Sequence, residues 1–250
     1  MSGYLEEIDY NFDIFFDKLL IDINDSMKES EKSKEVFSES FKRIISIQAW
    51  RTEIVEQNSP DGACQFFKEA QNDALISHSL ARQGAWRPSL MSLRSCIENT
   101  LLTLYYIDHP VEFNQWSKGK HRLGFSDLVK YLAAHPNFEG TKETENGLSE
   151  LKREYETLSK AVHGSTKSFR MTKGGTISGL NSFTEQELGA WNTRERITIC
   201  ALNLILLFFF RNLLQGAAKR NLRKSIGLTT NTKKSENIKS LTGVKIPSQH

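Results

Sequence analysis

The chain has 250 residues, of which 38% are hydrophobic and 25% charged, and its formal net charge at pH 7 is +3. This composition is typical of a soluble globular protein with a real core. Five prolines and long runs of helix-forming residues leave little room for the regularly spaced turns of an all-β or alternating α/β chain. The sequence therefore predicts an all-α fold.

The cysteines and the N-terminal residues indicate the cellular compartment in which the protein is expected. Cys64, Cys96 and Cys200 are isolated, odd in number and set in helical patterns. This spacing favours neither a disulfide framework nor a zinc knuckle and is typical of buried thiols in a reducing cytoplasm. Acids stand where an export signal needs a basic segment, so we expect a cytoplasmic protein.

The predicted elements are helices separated by proline and glycine breaks. Residues 4–24 and 31–57 repeat apolar positions at helical spacing, which predicts an N-terminal helical extension over 1–60. The break SPDG at 59–62 starts a third helix that runs to about residue 82. The remaining predicted helices span 88–108, 110–116, 125–135, 148–163 and 184–219. Between the last two, 168–183 is either a long loop or a small hairpin.

Charge is distributed unevenly along the chain. Residues 217–250 hold eight Lys or Arg against one acid, whereas 1–216 hold 25 basic and 29 acidic residues. A basic segment rich in Ser, Thr and Asn is typical of a disordered, solvated tail, with contact to nucleic acid or to an acidic surface as the alternative. We therefore expect a helical bundle over 61–220 and a flexible basic tail over 221–250.

The most apolar run, ITICALNLILLFFF at 197–210, has 14 residues, fewer than the roughly 18 to 20 that span a bilayer. It predicts a buried helix and no membrane span. Its consecutive Phe208, Phe209 and Phe210 point in directions that spread over about 200°. Central placement in the bundle could cover them, but we favour a second chain, so the sequence predicts a homodimer through this helix or its neighbours.

A charged pair lies on an otherwise apolar helix face. On the helix over 88–108, Arg94 falls among Leu90, Ile97 and Leu101, and Glu98 follows one turn later at the edge of the same face. A desolvated guanidinium needs a carboxylate, a set of carbonyls or a water-filled cleft. The pair is either a structural ion pair that ties two helices together or part of a functional cleft.

The helix over 148–163 ends in an unusual polar group. Ser159 and His163 flank its apolar stripe of Leu151, Tyr155 and Leu158. The carbonyls at a helix C-terminus favour a charged imidazolium, and the glycine that follows permits a left-handed cap, so histidine and glycine also suit a helix end without catalysis. We expect Arg94, Glu98 and His163 to converge in space.

The two stretches SLRSCIEN and YETLSKAVHGS together resemble the HEPN-like superfamily of bacterial helical bundles, over roughly residues 65–215. The resemblance implies a toxin or antiviral defence protein that works as a homodimer, and in many members a ribonuclease with an Arg–His catalytic pair. His163 would match the histidine, and Arg94 or Arg153 the arginine. Nine residues separate Arg153 from His163, more than in the nuclease members, so Arg94 is the cation in this hypothesis.

Two functional hypotheses follow. The first is a metal-independent endoribonuclease that binds RNA and needs no cofactor. In it His163 moves a proton and Arg94 stabilises the phosphorane charge, and the catalytic candidates are His163, Arg94, Glu98 and Ser159. The second is a non-catalytic helical component of a defence or toxin–antitoxin system, which binds a protein partner or a small ligand. The six histidines show no zinc-site spacing, so no protein-made metal site is expected.

Overall fold

The computed structural model describes residues 2–164, 169, 172–173, 176–177, 181–215 and 219–247. These residues are almost entirely helical, which confirms the all-α prediction. The α-helices are α1 (Ser2–Glu31), α2 (Lys34–Trp50), α3 (Glu56–Asn58), α4 (Asp61–Arg82), α5 (Trp86–Asp108), α6 (Pro110–Ser117), α7 (Phe125–Ala134), α8 (Glu143–Asn146), α9 (Leu148–His163), α10 (Glu185–Phe209), α11 (Arg220–Gly227) and α12 (Thr232–Thr242). One π-helical turn, Arg51–Val55, continues α2, and 3₁₀ turns occur at Pro136–Phe138 and Arg211–Leu214.

A minimal hairpin lies in the segment before α10. Strand β1 (Thr172–Lys173) pairs antiparallel with β2 (Thr176–Ile177), with Thr172 opposite Ile177. Of the two interpretations of 168–183, the structure therefore supports the hairpin at these four residues.

Helix α10 is the centre of the bundle. It packs against α2, α5 and α9, and its second half is buried on every side. The three phenylalanines contact different parts of the chain: Phe138 approaches Phe208, His135 approaches Phe209 and Trp50 approaches Phe210. Central placement, the alternative to a second chain, therefore covers the three phenylalanines, which give no reason to place a partner on this helix. Within the described ranges, no helix combines the length and apolar character that crossing a bilayer requires.

Helix α2 belongs to the bundle, so the predicted boundary at residue 60 is wrong. Its Ile44, Ile47 and Trp50 are part of the main core. The indole Nε1 of Trp50 donates to Asn203 Oδ1 at 2.8 Å, and Asn203 Nδ2 in turn donates to Ser46 Oγ at 2.7 Å. These bonds satisfy a polar side chain in the middle of α10 and fix α2 against it. The part of the predicted extension that stands apart is α1.

A buried ion pair also joins α2 to α10. Arg43 Nε donates to Glu195 Oε2 at 2.8 Å, and both side chains are largely removed from solvent. Burial raises the pKa of Glu195 to about 7, although the Arg43 charge and hydrogen bonds oppose the rise. Removing either partner would leave an uncompensated buried charge, so the pair fixes the register of the two helices.

The prediction of a flexible tail over 221–250 is wrong for the described residues of that range. Leu222 and Ile226 of α11, Ile238 of α12 and the following Val244 and Ile246 are all buried in the main core. Asn231 caps α12, since its Oδ1 accepts from Lys234 N at 2.9 Å. The segment has few apolar residues, but they occupy the positions that face α2 and the rest of the core, so average hydrophobicity was a poor guide.

We expect Ile226→Ala to lower the free energy of unfolding by about 2–4 kcal/mol, because it removes most of a side chain that is 1% exposed. Asn237→Ala, on the exposed face of α12, should change it by less than about 0.5 kcal/mol. Urea unfolding followed by circular dichroism measures both. An Ile226→Ala variant as stable as wild type would contradict the inclusion of this segment in the core.

Candidate functional site

A three-residue polar network joins α5 to α9. Arg94 Nη2 donates to the Tyr155 hydroxyl at 2.8 Å, and that hydroxyl donates to Glu98 Oε1 at 2.5 Å. Arg94 Nη2 also lies 3.1 Å from Glu98 Oε1, which confirms the predicted i,i+4 pair. The third member, Tyr155, was predicted only as part of an apolar stripe.

The electrostatics of the network keep the Tyr155 phenol neutral and the Arg94 guanidinium charged at neutral pH. Burial raises the pKa of Tyr155, and its hydrogen bond to Glu98 raises it further. Burial lowers the pKa of Arg94, but the hydrogen bond to Tyr155 and the charge of Glu98 outweigh this, so the pKa is raised overall. The guanidinium carbon lies 4.9 Å from the Tyr155 ring centroid, which adds a cation–π contact. The network thus consists of the neutral Tyr155 phenol, hydrogen-bonded to both members of the Arg94–Glu98 ion pair.

His163 is exposed at the C-terminal end of α9 and is not part of this network. It follows Tyr155 by eight residues, or about 12 Å along a helix. Within the described part of the chain, no hydrogen bond or ion pair joins it to Arg94 or Glu98. The structure therefore brings Arg94 and Glu98 together and leaves His163 outside their network.

A different arginine lies at the end of α9. Arg87 Nη2 donates to the Val162 carbonyl at 2.6 Å and so satisfies one of the last free carbonyls of the helix. Gly164, with φ of 57°, forms the left-handed cap, and a Cβ added there would lie 3.6 Å from Arg87 Nη2. Arg87 was missed because it lies in the WRPS break, but it precedes Arg94 by seven residues and so shares its face of α5.

The other sequence candidates have structural contacts. The Ser159 hydroxyl donates to the Tyr155 carbonyl at 2.7 Å, one turn back on the same helix, so it is not aligned with His163 as a nucleophile. Arg153 is exposed and lies 3.9 Å from Glu150. No group of three or more potential metal-ligating side chains occurs among the described residues.

An open groove lies on the outer side of Tyr155, between α7 and α9. Its volume is about 930 Å³. Phe125 and Tyr155 stack at one end, with ring centroids 3.6 Å apart and planes within 5° of parallel. The lining residues are Gly124, Phe125, Ser126, Val129, Lys130, Ala133, Glu143, Lys152, Tyr155, Glu156, Ser159 and Lys160. Tyr155 of the network and one of the catalytic candidates, Ser159, therefore line this groove.

Comparisons with models of known protein families, with curated proteins and with solved structures found no match.

We expect Tyr155→Phe to lower the free energy of unfolding by about 1–2 kcal/mol, because it keeps the ring but leaves Arg94 and Glu98 without the bridging hydroxyl. Thr157→Ala on the same helix removes a hydroxyl that bonds, among the described residues, only to the Arg153 carbonyl, and it should have little effect. A double-mutant cycle with Arg94→Met should show a coupling above about 0.5 kcal/mol. Additive effects would mean that the three residues do not act as a unit.

Proposed function

We propose that the protein is a helical binding protein and that the groove between α7 and α9 is its ligand site. The observation that carries the proposal is the 930 Å³ cavity, which includes Tyr155. That volume falls within the range of about 300–1,000 Å³ that is typical of small-molecule sites. Phe125 stacks on Tyr155, and Arg94 and Glu98 hydrogen-bond to the Tyr155 hydroxyl. These contacts hold this wall of the groove in place before a ligand binds.

The lining points to an apolar ligand that carries a negative charge. Phe125, Val129 and Ala133 present one apolar wall from α7, at the spacing of a single helix face. The charged residues of the rim are three lysines and two carboxylates, so cations are in excess: Lys130, Lys152, Lys160, Glu143 and Glu156. A flat apolar body with a carboxylate or phosphate group matches both features.

In this function Arg94 and Glu98 are positioning residues. Their hydrogen bonds hold the Tyr155 hydroxyl from α5, and neither residue lines the groove. The ion pair then has the structural role that was one of its two interpretations, and neither residue takes part in a reaction. A rigid wall lowers the ordering cost of binding.

The test uses aryl carboxylates such as naphthoate, with the methyl groups of Val129 and Ala133 observed by NMR. Both signals should shift on titration, and Ala133→Phe should abolish binding because the new ring fills the groove. Ala134→Phe is the matched control, since Ala134 is the exposed neighbour outside the groove. Unshifted methyl groups at millimolar ligand, or equal loss of binding in both variants, would contradict the proposed site.

A second candidate function is the metal-independent endoribonuclease that the HEPN-like resemblance implies. The observation that favours it is a cation next to the exposed histidine: the Arg87 guanidinium lies against Gly164, the residue that follows His163. In this function His163 transfers the proton of the 2′-hydroxyl and Arg87 stabilises the charge on phosphorus. Arg87 replaces Arg94 in that role, because Arg87 contacts the C-terminal end of α9, where His163 lies, whereas Arg94 contacts Tyr155.

The endoribonuclease is tested by incubating the purified chain with total RNA in EDTA. Wild type should cleave, and His163→Ala and Arg87→Ala should each lose at least about 100-fold. Arg153→Ala is the control, because this arginine is exposed on the same helix and should be dispensable. Intact RNA with wild type, or undiminished cleavage by His163→Ala, would end the nuclease hypothesis without affecting the groove.

A further inference from the structure

Most of α1 extends beyond the bundle. Residues 3–18 are exposed at every position, and α1 packs on the body through α4 near its C-terminal end, where Ser26 and Ser30 are buried. The exposed part carries six large side chains on one side that are 44–70% exposed: Tyr4, Leu5, Ile8, Phe12, Phe15 and Phe16. An isolated helix of this length is marginally stable in water, and its apolar side needs a cover.

The apolar positions follow the spacing of a coiled-coil seam. Leu5, Ile8, Phe12, Phe15 and Leu19 alternate steps of three and four residues, as the a and d positions of a heptad do. Continued at the same spacing, the seam passes Asp22 and reaches Ser26, one of the two buried serines. The helical bundle therefore covers the end of the seam that carries a small polar residue, and it leaves the apolar end exposed to solvent.

The charged residues of α1 determine which kind of partner can cover the apolar end of the seam. Along the apolar end, the positions that flank the seam hold a single acid and a single base, Asp9 and Lys18, and otherwise uncharged residues: Tyr4, Asn11, Phe16 and Ile23. The acids Glu6, Glu7, Asp13 and Asp17 lie away from the seam and its flanks, whereas Asp22 and Asp25 lie on the seam and its flank beside Ser26, beyond the apolar end. Such a helix repels anionic membranes and nucleic acid, yet two identical seams can meet without a row of opposed like charges.

We propose that α1 is a homodimerisation helix and that two copies of it pair antiparallel along this seam. The antiparallel direction follows from where the helical bundle covers α1. In a parallel pair the second helix would continue over Ser26 and Ser30, the stretch that is already buried in the chain's own structure. In an antiparallel pair its N-terminus reaches that point and ends, and the two bodies lie at opposite ends.

The area is sufficient for a specific dimer. Side chains of this size that are about half exposed present roughly 100 Å² each, so the six cover roughly 600 Å² per chain and about 1,200 Å² in the pair. That is the lower end of the range for specific interfaces, so we expect a dimer that dissociates on dilution.

Sedimentation equilibrium of the full chain tests the proposal. At about 50 µM the mass should be twice the 28.6 kDa of one chain. The double substitution Ile8→Glu/Phe15→Glu should weaken association at least 100-fold, because it places two charges in the seam. Ile14→Glu/Ile21→Glu adds the same charges on the opposite face, where both residues are also exposed, and should leave the dimer intact.

Circular dichroism shows whether each variant keeps the helices of the body, so loss of the fold is separated from loss of the dimer. A monomeric wild type, a dimer that survives the seam substitutions, or equal dissociation of both variants would overturn the proposal. For the direction, oxidised Leu5→Cys should not form a disulfide-linked dimer, because antiparallel pairing holds the two positions apart. Efficient cross-linking there would overturn the antiparallel arrangement.

Discussion

The structure depends on the complete burial of α10. Its second half is apolar on every face, and such a helix is stable in water only when other elements surround it. Helices α2, α5 and α9 and the turn at Pro136–Phe138 all contact it. Two polar groups on α10 help to place α2 beside it: Glu195 pairs with Arg43, and Asn203 bonds to Trp50 and Ser46.

The same constraint positions the candidate site. Arg194 of α10 donates to Glu154 of α9 at 2.9 Å, and burial raises the pKa of Glu154 to about 7 despite that contact. The next residue, Tyr155, points to α5, where it meets Arg94 and Glu98. Successive residues of α9 thus connect it to two different helices, and its remaining face lines the groove with α7. The groove wall is held by the core even though the groove itself is open.

The sequence predicted the features that depend on local pattern. Helical spacing located the long helices, and the i,i+4 rule identified the pair of Arg94 and Glu98. The features that it missed depend on contacts between distant residues. Tyr155 belonged to an apolar stripe, and only the packing of α9 on α5 shows that its hydroxyl has two partners. Arg87 contributes through a bond to a carbonyl 75 residues away. The burial of Ile226 and Ile238 depends on what surrounds them, so composition alone suggested a loose tail.

The central claim is that one core, organised around α10, includes α2 and the C-terminal helices and leaves α1 outside. Native-state hydrogen exchange on the full chain tests it most directly, because amides in one cooperative core open only on global unfolding. We predict that the slowest amides of α2, α10 and α11 share a single opening free energy, while residues 3–18 of α1 exchange by local opening. Amides of α11 and α12 that exchange at unfolded-chain rates while α10 stays protected would contradict the account.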